Sequence, residues 1–475
     1  MASILFLHSS PFEYPGVLCL SGYLAQKGHR VEVLVRSCEG RYFWDKARAF
    51  KPDWLGFSTV ICLHHESYRL AREARKELGA PTIFGGPYVS YYPQAIEREE
   101  IDILIRGEAE EALLDFLDAH DHGYDYSSLP NVWTKRNGSI ISNPVRPLEP
   151  HLDKYPIPDR HIYYKYSELR HMHSKQFMSG RGCPYNCYFC FNQAYRTLYA
   201  VKGKEIIRRH SYERVLEEVG RTQASFPLER VCFNDDIFVF DLEWLEKFLP
   251  RYRREINVPF ECQVRVEMVN NDVARLLGEN CCHHVLMGLE SGSPRVRHEI
   301  LGKKFSNQQF LRAVDMLHRH GVKVTTYNML GCPTETLDEA IQTVKINADA
   351  RVDYPWCSLY MPLPGTQAEG FARQKGLVPA NFTADDLTGS IFYRSVLQQP
   401  QIREIERVQK LFYVGVSYPR FIPAIRKLAH VNLGPLYEVI FLGTHFLKNL
   451  RESEANIFRM LWLGIKRLRT YWGGQ

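Results

Sequence analysis

The sequence predicts an α/β protein with an N-terminal doubly wound parallel sheet, then a partial TIM-like barrel, then a helical C-terminal region. Three observations lead to this fold class. Short apolar runs alternate with amphipathic stretches over residues 1–122, the same alternation resumes near Lys175, and residues 376–475 are helical and aromatic-rich in pattern. Strand–helix alternation at this spacing is typical of parallel sheets. We therefore expect domains at 1–122, 166–375 and 376–475, with a linker at 123–165.

The first domain has five predicted strands with helices between them. The strands are residues 4–8, 31–35, 54–58, 82–84 and 101–105, and the helices are residues 18–27, 65–78 and 108–119. Gly85-Gly86-Pro87 directly follows the fourth strand. Such sheets bind ligands at the carboxyl edge, so we expect a ligand near this turn.

The linker is rich in proline and contains one candidate hairpin, residues 132–135 and 140–142 around Asn137-Gly138. Six further strands are expected after it, at residues 176–179, 231–234, 260–264, 285–288, 322–328 and 357–361. Six parallel repeats suit a partial barrel, whose active site lies at the carboxyl ends of the strands. The C-terminal region is expected to close the mouth of this barrel.

Charge and cysteine content narrow the class of protein. The formal net charge is +6, and the stretch from Arg420 to Gln475 accounts for all of it with nine Lys and Arg against three Glu. The rest is nearly neutral, which argues against a nucleic-acid partner. The N-terminus lacks the basic start of a signal peptide. Twelve cysteines without such a signal indicate reduced thiols, so we expect a cytoplasmic protein.

The most specific feature is the CxxxCxxC run formed by Cys183, Cys187 and Cys190. Three thiolates within eight residues can hold three corners of a 4Fe–4S cube and leave one iron open to a small molecule, whereas electron-transfer clusters usually have four cysteines. The alternative is a zinc site, but structural zinc prefers CxxC pairs and four protein ligands. A second metal site at Cys281-Cys282-His283-His284 is disfavoured, because adjacent strand residues point to opposite faces.

This run resembles the radical S-adenosylmethionine (SAM) superfamily, which places it just after the first barrel strand. The resemblance implies that the open iron binds the amino and carboxylate groups of SAM, and that the reduced cluster cleaves SAM to methionine and a 5′-deoxyadenosyl radical. Phe189 matches the aromatic position that flanks the adenine. Its alternative role is packing against the barrel.

Further positions match the superfamily at the ends of later strands. The resemblance implies that Asp235 or Asp236 receives the SAM ammonium group and that Arg265 contacts a carboxylate or the ribose. It further implies that Glu290 and Ser291 meet the ribose and methionine portion and that backbone near Gly331 reads the adenine. Each motif alone has an ordinary alternative as a helix cap.

The combination of a doubly wound domain and such a barrel resembles the cobalamin-binding class of the superfamily, which includes C-methyltransferases, hopanoid-modifying enzymes and the anaerobic oxidative cyclase of chlorophyll synthesis. The matching residues are a Pro/Gly-rich loop at 9–16, Gly28-His29-Arg30-Val31, the run from Pro52 to Ser58, Gly85-Gly86-Pro87 and Gly107-Glu108-Ala109-Glu110.

This resemblance implies that Ser58, Gly85 and Gly86 cradle cobalamin. Two positions depart from the pattern: there is no DxHxxG motif, and Tyr88 stands where many relatives have His. A domain of this shape that binds another ligand, or that only packs against the barrel, is the alternative.

The expected function is that of a cobalamin-dependent radical SAM enzyme that activates a C–H bond for C-methylation. The runner-up is oxidative cyclisation or rearrangement without methyl transfer, and the rival from another class is a non-catalytic cluster-binding regulator. The expected partners are a small-molecule or lipid substrate, hopanoid-like or tetrapyrrole, and a flavodoxin or ferredoxin-type electron donor.

A basic amphipathic helix predicted at residues 457–469 suggests peripheral contact with the inner face of the membrane. A solvated helix docked on the barrel is the alternative.

Overall fold

The structure, a computed structural model, describes residues 1–387 and 389–453. The strands are β1 Ser3–His8, β2 Arg30–Val35, β3 Trp54–Ser58, β4 Thr82–Gly85, β5 Ile103–Ile105, β6 Val132–Arg136, β7 Ser139–Ser142, β8 Ser174–Phe177, β9 Gly180–Arg181, β10 Arg208–Arg209, β11 Arg230–Phe233, β12 Phe260–Val264, β13 Cys282–Glu290, β14 Lys323–Leu330 and β15 Tyr354–Leu359.

The α-helices in the first half of the chain are α1 Pro15–Gln26, α2 Arg36–Glu39, α3 Phe43–Phe50, α4 His64–Leu78, α5 Pro87–Tyr91, α6 Glu110–His122, α7 His161–Tyr164, α8 Ser167–Arg170, α9 Asn192–Tyr199 and α10 Tyr212–Ser225. Those that follow are α11 Leu242–Glu255, α12 Asn271–Glu279, α13 Asn307–Arg319, α14 Leu337–Asp349, α15 Gln367–Gln374, α16 Ile402–Ser417, α17 Ile422–Leu428 and α18 Pro435–Ser453. The predicted α/β fold class is confirmed.

The first sheet has the order β2-β1-β3-β4-β5-β6-β7, and β1 to β5 are parallel. The order 2-1-3-4-5 is that of flavodoxin-like folds, which bind ligands where the order reverses, between β1 and β3. The loop at residues 9–16 and Ser58 follow those two strands. The predicted hairpin exists, and its strands β6 and β7 extend this sheet in antiparallel pairing.

The second large sheet has the order β15-β14-β13-β12-β11-β8 and forms the predicted partial barrel. The strands from β11 to β15 pair in parallel. Burial alternates along them: in β12, Phe260, Cys262 and Val264 are buried, while Glu261 and Gln263 between them are only half-buried. The buried set packs against the surrounding helices, and the alternate set lines the barrel interior.

The described chain divides into two compact units. The first comprises residues 1–172, 176–184 and 191–227, and the second comprises 173–175, 185–190 and the chain from 228 onward. The four-part division expected from the sequence remains a prediction.

The C-terminal region differs from expectation. Helix α18 ends at the amino ends of the barrel strands: Glu452 accepts a hydrogen bond from Thr325 Oγ1 at 3.0 Å, and its carbonyl accepts one from Arg230 Nη1 at 2.7 Å. Earlier parts of this region do reach the carboxyl ends: the Ile391 carbonyl accepts from the Leu359 N–H at 2.8 Å, and the Gln399 amide donates to the Cys332 carbonyl at 3.0 Å. The expectation that this region closes the barrel mouth is therefore wrong for α18.

The amphipathic helix predicted at residues 457–469 lies outside the described residues. Among the helices of the described part, none combines the length and the apolar character needed to cross a bilayer.

Candidate cluster and cofactor sites

The three predicted cluster ligands lie on one loop between β9 and α9. The thiols of Cys183 and Cys187 are buried, Cys190 is half-buried, and all three are free of disulfides. The Arg265 guanidinium donates from Nη1 to Cys187 Sγ at 3.2 Å. A set of three thiols beside a buried cation fits a 4Fe–4S cluster with one open iron.

The backbone of the loop is fixed at Tyr188 within the second unit. Its N–H donates to the Leu301 carbonyl at 3.0 Å, and its carbonyl accepts from the Ala368 N–H at 2.9 Å. The Tyr188 ring lies so close to Gly302 that a Cβ there would come within 2.7 Å of it, and Gly302 has a φ of +69°. Phe189, the predicted adenine neighbour, is half-buried on the same segment.

Arg265 was predicted to contact a carboxylate or the ribose of SAM. In the structure its guanidinium is already engaged: besides Cys187, it donates to Glu267 Oε1 at 2.7 Å and stacks 3.7 Å from the Tyr185 ring centre. Arg265 therefore contacts the cysteine loop. The sequence did not predict this contact.

The two carboxylates of the acidic motif after β11 differ in their exposure to solvent. Asp235 is buried and Asp236 is exposed. The preceding Asn234 accepts a hydrogen bond from the Gln263 amide at 3.1 Å, so the ends of β11 and β12 are tied together here. Asp236 is consequently the more accessible of the two predicted ammonium partners.

Glu290, at the end of β13, has a partner that sequence reasoning missed. Lys303 is buried and donates to Glu290 Oε1 at 2.8 Å and to the Gly288 carbonyl at 2.7 Å. Glu290 itself has a φ of +67°, a left-handed conformation that is uncommon outside glycine. The sequence carried no signal for Lys303, because its burial and its contact with Glu290 exist only in the folded chain.

Ser291 faces the interior of the protein. Its side chain is fully buried and lies 3.5 Å from Thr343 Oγ1 of α14, and its carbonyl accepts from Arg297 Nη1 at 2.7 Å. These contacts hold the turn that carries Glu290.

The turn after β14 is closed by Glu335, a residue that sequence reasoning did not single out. Gly331 has a φ of +76°, and its N–H and that of Cys332 donate to Glu335 Oε2 at 2.6 and 2.9 Å. Burial raises the pKa of Glu335 to about 8, although these two backbone hydrogen bonds act in the opposite direction. The carboxyl group is therefore largely protonated at neutral pH.

This pKa predicts a pH-dependent contribution to stability. Between the ordinary pKa of about 4.3 and about 8, the unfolded chain loses the Glu335 proton while the folded chain keeps it, so stability falls as pH rises. The loss approaches about 1.4 kcal/mol per pH unit. Glu335→Gln should remove this pH-dependent loss of stability. The thermal midpoint of the variant should therefore rise relative to that of wild type as the pH increases from 5 to 8. The exposed Glu246→Gln is the control, and parallel curves for Glu335→Gln and wild type would contradict the assignment.

The predicted cobalamin edge has two glycines with different surroundings. A Cβ on Gly85 would meet the Ile105 carbonyl at 3.9 Å, an ordinary van der Waals contact. A Cβ on Gly86 would come within 2.9 Å of the Thr59 backbone and 3.2 Å of Ser58 Oγ, and Gly86 has a φ of +91°. Packing of the turn alone thus explains Gly86, whereas nothing within the protein's own packing requires glycine at 85.

Tyr88 directly follows the Gly85-Gly86-Pro87 turn. It is buried, its ring stacks on His64 with centroids 4.4 Å apart, and its hydroxyl lies 3.1 Å from that of Tyr68. Tyr88 therefore belongs to the packing of α4 against α5.

Comparison with known proteins agrees with both halves of this description. The profile of the radical SAM superfamily matches residues 177–346, and that of the B12 binding domain matches residues 10–117. An uncharacterized methyltransferase of Pyrococcus horikoshii is 28% identical over 75% of this chain and 77% of its own length. The anaerobic magnesium-protoporphyrin IX monomethyl ester cyclase of Rubrivivax gelatinosus is 23% identical over 73% of this chain and 64% of its own.

Among solved structures, the cobalamin-dependent SAM radical enzyme OxsB, with aqua-cobalamin and SAM bound, superposes with a TM-score of 0.70 at 14% identity, covering 99% of this chain and 75% of OxsB. The likeness to OxsB concerns the fold. The two profile matches identify a radical SAM region at residues 177–346 and a B12-binding region at residues 10–117, so the chain is an enzyme whose cofactors are a 4Fe–4S cluster, SAM and cobalamin.

Proposed function

We propose that this enzyme is a C-methyltransferase whose cluster is held by Cys183, Cys187 and Cys190. The observation that carries the proposal is the set of three thiols on one loop, with Arg265 at Cys187, together with the turn at Gly85, where a Cβ would make only an ordinary contact. When bound, the reduced cluster supplies reductive cleavage of SAM and cobalamin supplies a methyl carrier. One of the two relatives above is described as a methyltransferase, and the other, a cyclase, supports the runner-up.

The roles of the barrel residues follow from their surroundings. We propose that Glu290, oriented by Lys303, accepts hydrogen bonds from the SAM ribose, and that Asp236 receives the ammonium group with buried Asp235 behind it. The turn at Gly331, held by Glu335, offers its backbone to the adenine beside Phe189.

Arg265 and Ser291 act one step away from SAM in this proposal. Arg265 supports the thiolate of Cys187, and Ser291 holds the turn that carries Glu290. The electron that reduces the cluster comes from a flavodoxin or ferredoxin-type donor.

The decisive experiment follows both products of SAM. Anaerobically reconstituted enzyme should hold about four iron per chain. With reductant and cobalamin it should form 5′-deoxyadenosine and S-adenosylhomocysteine, the product of methyl transfer, from SAM. Replacing all three cluster cysteines by Ala should abolish the iron and the 5′-deoxyadenosine. Cys262→Ala, which alters a buried thiol of β12, is the control.

Two outcomes would count against this proposal. If the triple variant still releases 5′-deoxyadenosine, the cluster assignment fails. If wild type forms 5′-deoxyadenosine but no S-adenosylhomocysteine, the runner-up, a cyclisation or rearrangement, replaces methyl transfer.

The two glycines allow a matched test of cobalamin binding. Gly85→Val should fold, because a Cβ at this position makes only an ordinary contact with the Ile105 carbonyl, at 3.9 Å, but should weaken binding of hydroxocobalamin by blocking the approach of the ligand. Gly86→Ala should instead lower the thermal midpoint, since its Cβ collides with Thr59 and its φ is unfavourable. Absorbance after gel filtration measures the bound cobalamin. Unchanged binding by Gly85→Val would remove this edge from the site.

We further propose that the C-terminal region contacts an anionic membrane, on which a lipid or tetrapyrrole substrate resides. Leu436, Val439, Leu442 and Leu447 of α18 are 49, 65, 58 and 53% exposed, and helical spacing places them on one face of α18. The segment before α18 exposes further apolar side chains, among them Phe421 and Val431. A contiguous exposed apolar surface is typical of an interaction site.

Positive charge lies beside this apolar face. Arg420, Arg426 and Lys427 precede α18. A pocket of about 590 Å³ at the start of α18 is lined by Arg394, Arg403, Arg407 and Lys410 and by only two acidic residues, Glu406 and Glu438. Apolar insertion combined with attraction to anionic lipid is how interfacial helices bind bilayers.

The membrane proposal predicts binding to vesicles of phosphatidylglycerol and phosphatidylcholine in preference to phosphatidylcholine alone, and weakening by salt. Val439→Glu with Leu442→Glu should reduce that binding at least about tenfold, because inserting one such side chain is worth roughly 1.5–3 kcal/mol. Ile140→Glu, at an exposed apolar position of β7, is the control. Equal co-sedimentation of the double variant and wild type, or a concentration-dependent dimer in place of vesicle binding, would overturn it.

A further inference from the structure

The motif Gly107-Glu108-Ala109-Glu110 has no role in the function proposed above. It follows β5 and leads into α6, and its two carboxylates are largely buried. Buried carboxylates are costly unless they are paired, so the identity of their partners indicates what the motif does.

One partner lies on the strand that enters the cysteine loop. Arg181 of β9 donates from Nη2 to Glu110 Oε1 at 2.6 Å, and its Nη1 lies 3.4 Å from Glu108 Oε1. Only Gly182 separates Arg181 from the first cluster cysteine. Gly182 has a φ of +97°, and a Cβ there would come within 2.2 Å of the Ile206 carbonyl, so this close approach of the two backbones requires glycine.

The other partners lie on the helix that leaves the loop. Tyr195 of α9 donates from its hydroxyl to Glu108 Oε1 at 2.7 Å, and the Tyr199 hydroxyl accepts from the Glu108 N–H at 2.6 Å. Helix α9 begins two residues after Cys190. Phe191, the first residue after that cysteine, stacks on Tyr91 of α5 with centroids 4.3 Å apart and planes 8° from parallel.

The arrangement is tight and its charges are balanced. Arg208 of β10 donates to both oxygens of Glu108, at 2.9 and 2.6 Å. Burial by itself raises the pKa of Glu108, but the hydrogen bond from Arg208 and the charge of Arg181 hold it well below its usual range. A Cβ on Gly107 would come within 2.1 Å of the Tyr199 hydroxyl, so the motif and α9 fit closely only with glycine at 107.

We infer that Glu108 and Glu110 are positioning residues for the cluster: they fix both stems of the cysteine loop to the first domain through Arg181 on one side and Tyr195 and Tyr199 on the other. The inference rests on the proposed function only in that residues 183–190 carry the cluster. The motif lies in the first domain, where a role in cobalamin binding would be expected, but the inference assigns it to the cluster instead.

The test measures how firmly the loop holds iron. Reconstituted Glu108→Gln and Glu110→Gln proteins should release iron to a chelator about tenfold faster than wild type or more, as loss of an outer-shell partner typically costs a metal site. Their cobalamin binding should stay at the wild-type level. Glu111→Gln is the matched control, because Glu111 is the next residue of α6 and pairs with Tyr23 and Lys154 instead.

A more conservative variant tests the same contacts with less risk of misfolding. Tyr195→Phe removes one hydroxyl and should accelerate iron release and alter the electron paramagnetic resonance spectrum of the reduced cluster, while Arg181→Lys, which keeps the charge, should be closer to wild type than Arg181→Gln. Release from Tyr195→Phe and Glu110→Gln at the rate of Glu111→Gln would overturn the inference. A wild-type protein that binds no iron would instead overturn the proposed function.

Discussion

A 4Fe–4S cluster with only three protein ligands requires that one short segment of backbone hold three thiols in fixed positions. That segment has little regular structure of its own. Residues 183–190 form no regular element, so their geometry depends on what holds each end and the middle. In the first unit, the ends are held by the buried charges around Glu108. In the second, the middle is held by backbone hydrogen bonds of Tyr188 and by Arg265 at Cys187. Without these attachments the three thiols would be flexible ligands, and the entropic cost of ordering them would fall on cluster binding.

Both large sheets bring distant residues together at the carboxyl edge of their parallel strands. Parallel strands end at the same edge, so each loop that follows a strand contributes a side chain there, and we call this edge the rim. In the barrel this rim carries the turns after β11, β13 and β14, and each turn is stabilised by a contact of its own: Asn234 with Gln263, Glu290 with Lys303, Gly331 with Glu335. The left-handed φ of Glu290 is tolerated because Lys303 and the buried Ser291 fix the chain on both sides of it.

The strands could be predicted because buried parallel strands appear as short apolar runs. The bounds of β3 and β12 were predicted to the residue. Strand β13 is longer than its apolar run because it begins with Cys282 and His283. The cluster ligands were evident from spacing, since three cysteines on one loop need no knowledge of the fold. Partners distant in sequence could not be predicted. Lys303 lies 13 residues after Glu290, and Glu108 is 100 residues from Arg208, so only the folded chain brings them together. The same holds for Gly86, whose need for glycine comes from Thr59, the residue that follows β3.

The end of the barrel opposite the rim is closed by polar groups. Glu452 of α18 hydrogen-bonds to Thr325, while His284 Nε2 lies 3.3 Å from Glu261 Oε2. Burial lowers the pKa of His284 to about 2 and raises the pKa of Glu261, so burial disfavours the charged form of both side chains. Helix α18 thus covers the amino ends of β11 and β14, and the turns carrying Asp236, Glu290 and Gly331 lie at the opposite, carboxyl ends of their strands.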